Sequence, residues 1–160
     1  TSTVLDINSE DGDINISGDD PITLITCAEI VKAVGRGFNP EIALNLKKMD
    51  YILEIISIAD YAKTKNDFLR LRGRVIGKDG KARRIIEDLL EINICVYGKT
   101  ISLIGRGENV ALGRRAMESL LAGSPHSNIY KWLEKQRSTN KHLSGELYKV
   151  YSIHPPSRNT

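Results

Sequence analysis

The 160-residue chain has few of the residues that disulfide frameworks, metal sites and membrane segments require. Its two cysteines, Cys27 and Cys95, lie far apart in apolar surroundings, so we expect buried thiols in a reducing, cytoplasmic compartment. The histidines at positions 126, 142 and 154 are too scattered for the spacing of zinc ligands. No apolar run reaches the ~18 residues that predict a membrane span, and the acidic, polar first residues do not match a signal peptide.

Catalytic arrangements are also missing from the sequence. No Ser-His-Asp or Cys-His set is present at a convincing spacing, and no acidic cluster favours a metal-dependent nuclease or other hydrolase. The pairs Asp60/Asp67 and Glu87/Asp88 are pairs by spacing alone, so we expect solvated helix charges there. The sequence therefore predicts a protein without a catalytic site, metal or cofactor. Aromatic residues make up only 6%, which argues against a long platform for stacked bases.

Charge is distributed unevenly along the chain. Residues 1–30 carry seven acidic side chains and no lysine or arginine, whereas residues 63–115 carry thirteen basic side chains against six acidic ones. Apolar residues make up 41%, enough to form a core, and the length allows one ordinary domain or two small ones. An acidic start and a basic centre predict two units with different partners.

The first part of the chain reads as a hairpin followed by helices. Alternating residues predict strands at 3–8 and 13–17, joined at Asp11-Gly12. A break ending in Pro21 begins a helix over 21–34, which Gly35-Arg36-Gly37 ends. Its predicted apolar positions are Leu24, Cys27, Ala28, Val31 and Val34. A short helix begins at Asn39-Pro40, with Ile42, Ala43 and Leu46 on one face.

The second part has a longer sequence of elements. Residues 51–58 are apolar on both faces and predict a central strand. Helices follow at 65–72, ending at Gly73, and at 80–90, and then strands at 92–97 and 100–104. Helices at 108–122 and 126–137 precede a polar remainder. The order strand-helix-helix-strand-strand-helix predicts an α+β domain. Residues 3–34 repeat the last three elements of this domain, strand-strand-helix, so residues 1–38 resemble the C-terminal half of a first copy of the domain. Either the missing elements of that copy lie upstream, or this half packs directly on the second, complete copy.

Between the helices at 65–72 and 80–90 lies the segment with the clearest chemistry, Gly77-Lys78-Asp79-Gly80. Glycines lack Cβ, so the backbone can take unusual dihedrals and approach a ligand closely. The amides that begin the second helix attract anions, and we expect Asp79 to be the N-cap of that helix. This arrangement favours binding to a nucleic-acid phosphate, and single-stranded RNA is the leading interpretation.

Residues around the turn extend this predicted site. Val75, Ile76, Ile86 and the strand around Val96 are expected to form an apolar floor for unstacked bases. Basic side chains on both sides of the turn would add phosphate contacts. The predicted RNA-binding set is Arg74, Ile76, Gly77, Lys78, Asp79, Gly80, Lys81, Arg83 and Arg84.

The glycine turn has two other interpretations. Two glycines three positions apart occur by chance, so a plain link between helices with a solvated basic face stays open. A phosphate loop of the ATPase type requires four residues between the first glycine and Gly-Lys, followed by Ser or Thr. Here three residues separate Gly73 from Gly77, and Asp79 occupies the hydroxyl position. The second interpretation is therefore excluded.

Three segments resemble the type I KH domain and, within it, the archaeal Pno/Dim (Krr-related) family of tandem-KH factors for small-subunit ribosome assembly. They are residues 34–44 (VGRGFNPEIAL), 72–81 (RGRVIGKDGK) and 124–134 (SPHSNIYKWLE). Residues 77–80 match the KH phosphate loop. Many KH domains have an apolar residue three positions after this loop, where this chain has Arg83. The resemblance covers residues 3–135.

The resemblance implies a domain plan and a set of partners. Residues 1–48 would be the C-terminal half of a first KH-like domain with a linker helix, 49–123 a complete KH domain, 124–137 an accessory helix and 138–160 a polar tail. The expected protein is a monomer that contacts no membrane and binds near the 3′ end of small-subunit ribosomal RNA. The PIN-domain endonuclease Nob and the alpha subunit of translation initiation factor two are the implied protein partners. The alternative function is an adaptor that binds such a protein partner and contacts RNA only incidentally. The apolar stripe formed by Tyr130, Trp132 and Leu133 would either bind the partner protein or cover the open side of the sheet.

Overall fold

A computed structural model describes residues 3–8 and 10–153, with side chains described up to residue 139. The fold is α+β, as predicted. Five strands are β1 Thr3–Asn8, β2 Asp13–Gly18, β3 Tyr51–Ser57, β4 Asn93–Tyr97 and β5 Thr100–Arg106. Six α-helices are α1 Pro21–Gly35, α2 Pro40–Ala43, α3 Lys65–Ile76, α4 Lys81–Leu90, α5 Gly107–Leu121 and α6 His126–Ile153. No helix in this described part combines the length and apolar character that crossing a membrane requires.

Strands β1 and β2 form the predicted antiparallel hairpin, with Ile7 opposite Ile14. Gly12 takes a φ of +74° in the connecting turn, which a residue with a side chain rarely adopts. The Asn8 side chain holds the turn by accepting from the Glu10 amide at 3.0 Å and donating to Asp11 at 2.8 Å. Asx-type bonding of this kind explains why a polar segment folds back here.

Helix α1 begins as predicted, with Pro21 in the first turn and Asp20 as N-cap. The Asp20 carboxylate accepts from the Thr23 amide at 3.1 Å, and its bond to the Thr23 side chain is the main cause that lowers the pKa of Asp20. The predicted apolar face is only partly correct, since Leu24, Cys27 and Val31 are half-buried but Ala28 is exposed. Ala33 is fully buried and Ile30 packs beside it, whereas Val34 is exposed. The helix is apolar on several sides, so its packing partner determines the buried face and periodicity alone does not.

The second sheet has the order β3-β5-β4, and every pairing is antiparallel. Strand β5 is therefore central, and the prediction that residues 51–58 form a central strand is wrong. Leu53 lies opposite Ile104 across β3 and β5, and Asn93 lies opposite Ile104 from the other side. An apolar pattern on both sides of a strand indicates that both faces of the sheet are covered. It does not show whether the strand lies at the edge or at the centre of the sheet.

Helices α3, α4 and α5 form the main core with one face of this sheet. Fully buried side chains at the centre of the core include Leu71, Ile86, Leu103 and Met117. Ile129 and Leu133 of α6 belong to the same core, and α6 packs on α4 and α5. The expectation that the stripe at Tyr130, Trp132 and Leu133 covers the open side of the sheet is therefore wrong.

The opposite face of the sheet is covered by the segment that runs from helix α1 to residue 47. Phe38 and Leu46 are buried there with Ile104, and Leu53 and Cys95 pack against them. The segment from α1 through the 3-10 turn Leu44–Lys47 thus packs directly on the β3-β5-β4 sheet. Direct packing of this kind is one of the two arrangements that the partial repeat in the sequence predicted.

Two helices are longer than predicted. Helix α3 continues through Gly73 to Ile76, although glycine inside a helix costs roughly 0.5–1 kcal/mol relative to alanine. Leu71 and Val75, both buried, lie on either side of Gly73 and hold this turn against the core. Helix α6 extends to Ile153, so its backbone includes much of the predicted polar tail. Residues 154–160 of that tail lie outside the described residues.

Candidate nucleic-acid interface

The glycine segment forms a tight loop between two helices. Helix α3 ends at Ile76, the 3-10 turn Lys78–Gly80 follows, and α4 begins at Lys81. Gly77, Asp79 and Gly80 all have positive φ, at +74°, +54° and +75°. The Gly77 amide donates to the Gly73 carbonyl at 2.8 Å and closes the last turn of α3. The chain is thereby held in a conformation that brings main-chain atoms to the surface at a helix start, where anions bind.

The two glycines are required for different reasons. A Cβ on Gly77 would lie 2.6 Å from the Ala82 Cβ and 2.7 Å from the Ala82 amide nitrogen, so this glycine permits close packing of the loop on α4. A Cβ on Gly80 would meet nothing closer than the Arg84 guanidinium at 3.5 Å. Gly80 is therefore required for its left-handed backbone alone.

Asp79 does not cap α4, contrary to the prediction. The N-cap position is Gly80, and no side chain caps the helix. Asp79 itself takes the left-handed conformation, its side chain is exposed, and its carbonyl oxygen accepts from the Arg84 side chain. With no side-chain cap at this helix start, its positive end remains available to an anion.

Three of the predicted cations gather beside the loop. Lys78, Lys81 and Arg84 are exposed. They line an open cavity of about 440 Å³ together with Asp79, Ile85 and Asp88. The geometry therefore places three positive charges around the loop, which suits an RNA backbone.

Arg74 belongs to a different part of the structure. Its guanidinium donates to the Leu120 carbonyl at 3.1 Å and to the Ser124 carbonyl at 2.6 Å, at the end of α5. The Arg74 carbonyl lies 2.8 Å from the His126 ring nitrogen. These contacts tie the last turn of α3 to the α5–α6 connection, and they separate Arg74 from the cations at the loop.

Arg83 faces the edge strand β4 and not the cavity beside the loop. It is half-buried, and its Nε lies 3.7 Å from the Glu87 carboxylate. The other oxygen of Glu87 accepts from the Ile94 amide at 2.8 Å. The expectation that Glu87 is a solvated charge is therefore wrong, since it joins α4 to β4. Asp67, in contrast, pairs with Arg70 in its own helix, and that hydrogen bond is the main cause that lowers the pKa of Asp67.

The free edge of β4 lies beside this pair. Because the Ile94 amide points away from β5, the strand alternation directs the main-chain groups of Val96 outward as well. Cys95 lies between them, and burial raises the pKa of its thiol. The sequence predicted that the strand around Val96 lies beside the loop, but it did not reveal the outward main-chain groups or the role of Glu87, although the Arg83/Glu87 spacing of four residues was a usable signal.

The predicted apolar floor is only partly present. Val75 and Ile86 are fully buried in the core and cannot touch a ligand. Ile76 and Val96 are half-buried. The space between α4 and β4 is therefore lined by charged and main-chain groups to a greater extent than the sequence indicated.

Comparison with known proteins agrees with this geometry. The family model of the second KH domain of PNO1, described as a eukaryotic-type KH domain (KH-domain type I), matches residues 52–138. The chain belongs to this family. The resemblance to the Pno/Dim group that the sequence motifs indicate is thus confirmed, and the β3-α3-α4-β4-β5-α5 unit is its KH fold.

Relatives extend the match beyond this domain. A KH domain-containing protein of Methanocaldococcus jannaschii is 47% identical over 146 residues, which cover 89% of this chain and 64% of that protein. The pre-rRNA-processing protein PNO1 of Eremothecium gossypii is 32% identical over 113 residues, which cover 69% of this chain and 42% of that protein. The chain therefore spans less than two thirds of the length of these relatives.

A solved structure gives the same result. The complex of a/eIF2alpha, aDim2p and rRNA from Pyrococcus horikoshii contains a chain that is 37% identical to this one, with a TM-score of 0.78. The match covers 86% of this chain and 77% of that one.

Proposed function

We propose that this protein binds single-stranded RNA through the loop at residues 77–80 and acts in maturation of the small ribosomal subunit. The observation that carries the proposal is the loop itself, with three positive φ angles, an uncapped helix start and three adjacent cations. The names of the relatives support the same assignment, since they include a type I KH-domain family and a pre-rRNA-processing protein.

The RNA backbone is held at the loop. Lys78, Lys81 and Arg84 neutralise phosphates, and the main chain between Gly77 and Gly80 approaches the strand closely. A KH loop of this kind clamps about four nucleotides. The contacts are made to phosphate and sugar, so they determine the position of the strand without reading its sequence.

Bases lie between α4 and β4 in this proposal. The outward main-chain groups of Val96 and the charged pair Arg83/Glu87 offer both donors and acceptors to base edges. Ile76 and Val96 supply the apolar contact. The chain holds and positions RNA without cleaving it, and the target we propose is the 3′ end of small-subunit ribosomal RNA. Two free cysteines in the described chain are consistent with a cytoplasmic location.

A second candidate is an adaptor that brings a protein to the RNA. The structural relative from Pyrococcus horikoshii is part of a complex with a/eIF2alpha and rRNA, which favours the initiation-factor subunit over the PIN-domain nuclease Nob as a partner. The β1–β2 hairpin, with Asp6, Asp11 and Asp13 exposed, is the proposed contact. Deleting residues 1–50 would uncover Leu53 and Ile104 of the sheet, so reversing these hairpin charges is the cleaner test.

The experiment compares three proteins by fluorescence anisotropy with a labelled single-stranded RNA from the 3′ end of small-subunit ribosomal RNA and with a scrambled RNA. The proteins are the wild type, Gly80→Asp and Gly12→Asp. Gly12 and Gly80 have nearly the same φ, +74° and +75°, and neither position is crowded by backbone. The two variants therefore share the added charge and the backbone strain, and differ in their distance from the loop.

We expect Gly80→Asp to lose RNA binding while Gly12→Asp binds like the wild type. Preference for the native RNA over the scrambled one would support the ribosomal target. Equal binding by all three folded proteins would overturn the assignment of the loop. In that case the basic surface acts by charge alone, and the adaptor function becomes the better explanation.

A further inference from the structure

The chain's single tryptophan, Trp132 on α6, lies under the guanidinium of Arg115 from α5, whose central carbon is 5.0 Å from the ring centre. A cavity of about 290 Å³ opens beside this stack. Its other lining residues are Ser119, Ser124, Asn128 and Ile129. An aromatic ring, a planar cation and three small polar side chains thus meet in one recess of the surface.

The charge of Arg115 is not neutralised by a described carboxylate. The neighbouring Arg114 forms ion pairs with Glu54 and Glu118, whereas Arg115 forms none among the described side chains. Glu118 lines an adjoining cavity with Arg115, but its carboxylate is held by Arg114 at 2.8 Å. A guanidinium stacked on an aromatic ring keeps its donors free for a phosphate or a base edge.

The recess is close to the glycine loop. Its rim residue Ser124 accepts a hydrogen bond from Arg74, and Arg74 is three residues before Gly77, about 5 Å along the helix. An RNA strand that leaves the loop on this side therefore reaches the recess within a few nucleotides.

We propose that Arg115 and Trp132 form a second nucleotide site, which takes one unstacked base with its phosphate from an RNA strand that extends beyond the loop. This proposal rests on the proposed function. The cavity is near the lower limit of small-ligand pockets and suits one base better than a folded protein segment. Ser119 and Asn128 supply donors and acceptors to the base edge, and stacking on Trp132 and Arg115 is tolerant of sequence.

The single tryptophan makes the test direct, because Trp132 fluorescence reports on this site alone. The full chain is titrated with two single-stranded RNAs, one of about four nucleotides, the length that the loop holds, and one roughly three times as long. Anisotropy of labelled RNA measures total binding in the same samples. The variants are Arg115→Gln, which removes the charge, Trp132→Phe, which keeps an aromatic ring, and Gly80→Asp at the loop.

The longer RNA is expected to quench Trp132 fluorescence, whereas the shorter RNA binds without a change. Arg115→Gln weakens binding of the longer RNA by about tenfold, as for the loss of one stacked base, and leaves the shorter RNA unaffected. Trp132→Phe retains most of the affinity for the longer RNA.

Unchanged fluorescence at saturation with the longer RNA would overturn the second site while leaving the loop assignment intact. Equal weakening of both RNAs by Arg115→Gln would also overturn it, since that pattern indicates a general loss of charge. A failure of the proposed function has a different signature, in which Gly80→Asp leaves the shorter RNA bound. Fluorescence that responds to polyglutamate and not to RNA would assign the recess to an acidic protein segment.

Discussion

Replacing each loop glycine by alanine should separate packing from backbone conformation. Gly77 has φ +74° and ψ 173°, a region that is essentially restricted to glycine and costs about 1–3 kcal/mol for other residues. Its Cβ would also lie 2.6 Å from the Ala82 Cβ and 2.7 Å from the Ala82 nitrogen, and overpacking of this kind costs typically 1–3 kcal/mol. These costs sum to about 2–6 kcal/mol, and alanine reduces the entropy of the unfolded chain, which returns about 0.4–1 kcal/mol, so we expect Gly77→Ala to lower the free energy of unfolding by about 1–5.5 kcal/mol.

Gly80→Ala should be much milder. Gly80 lies in the ordinary left-handed region, where alanine costs about 1–2 kcal/mol, and its Cβ would meet only a flexible arginine at 3.5 Å. Alanine also reduces the entropy of the unfolded chain, which returns about 0.4–1 kcal/mol. The net loss should be at most about 1.5 kcal/mol.

Urea denaturation followed by circular dichroism measures both values. The free energy of unfolding should be highest for the wild type, lower for Gly80→Ala and lowest for Gly77→Ala. The value for Gly77→Ala should lie at least about 1 kcal/mol below that for Gly80→Ala. Equal losses would refute the packing argument, since they would show that Ala82 moves aside at no cost. The same reasoning explains why Gly80→Asp, and not a change at Gly77, is the suitable test of RNA binding.

Three further outcomes follow from named contacts. Lys78→Ala should reduce the salt dependence of RNA binding by about 0.7–1 in log–log slope, as for one lost phosphate contact, and a change in sequence preference alone would contradict this. Arg74→Gln should destabilise the fold by about 1–3 kcal/mol in urea denaturation, through the lost bonds to Leu120 and Ser124, and leave the salt slope unchanged. Asp67 has a lowered folded-state pKa, so its contribution to stability is present above about pH 4 and is lost as the pH falls through that lowered value. Asp67→Asn should therefore lower Tm relative to the wild type at pH 6, with the difference disappearing as the pH falls through the lowered pKa of Asp67.

The order of elements was predictable because local signals mark each boundary. Asp20 and Pro21 begin α1, Gly37 with φ +91° follows it, and the alternation over residues 3–8 and 13–17 forms the hairpin. The glycine loop was found from the two glycines and the basic helix after them. These features depend on residues close together in the chain, which is the range over which capping and turn chemistry act.

Features that depend on distant contacts were not predictable. The buried face of α1 is determined by Phe38, Leu46 and the sheet beneath them, and the place of β5 at the centre by pairing with two strands. Arg74 looked like a loop cation, but its donors are taken by carbonyls 46 and 50 residues away. Glu87 looked solvated, yet it accepts from the β4 edge. A charged residue's neighbours in sequence do not reveal its partner in space.

The most direct test of the central claim is to map amide chemical-shift changes in the isotope-labelled protein on addition of single-stranded RNA, with a duplex of the same sequence as control. We predict that the amides from Gly77 to Lys81 and those of Ile94 and Val96 shift with the single strand, and that the duplex leaves Ile94 and Val96 unchanged. Shifts in the amides of basic residues elsewhere in the chain, with the amides of residues 77–81 unaffected, would contradict the assignment of this loop as the RNA-binding site.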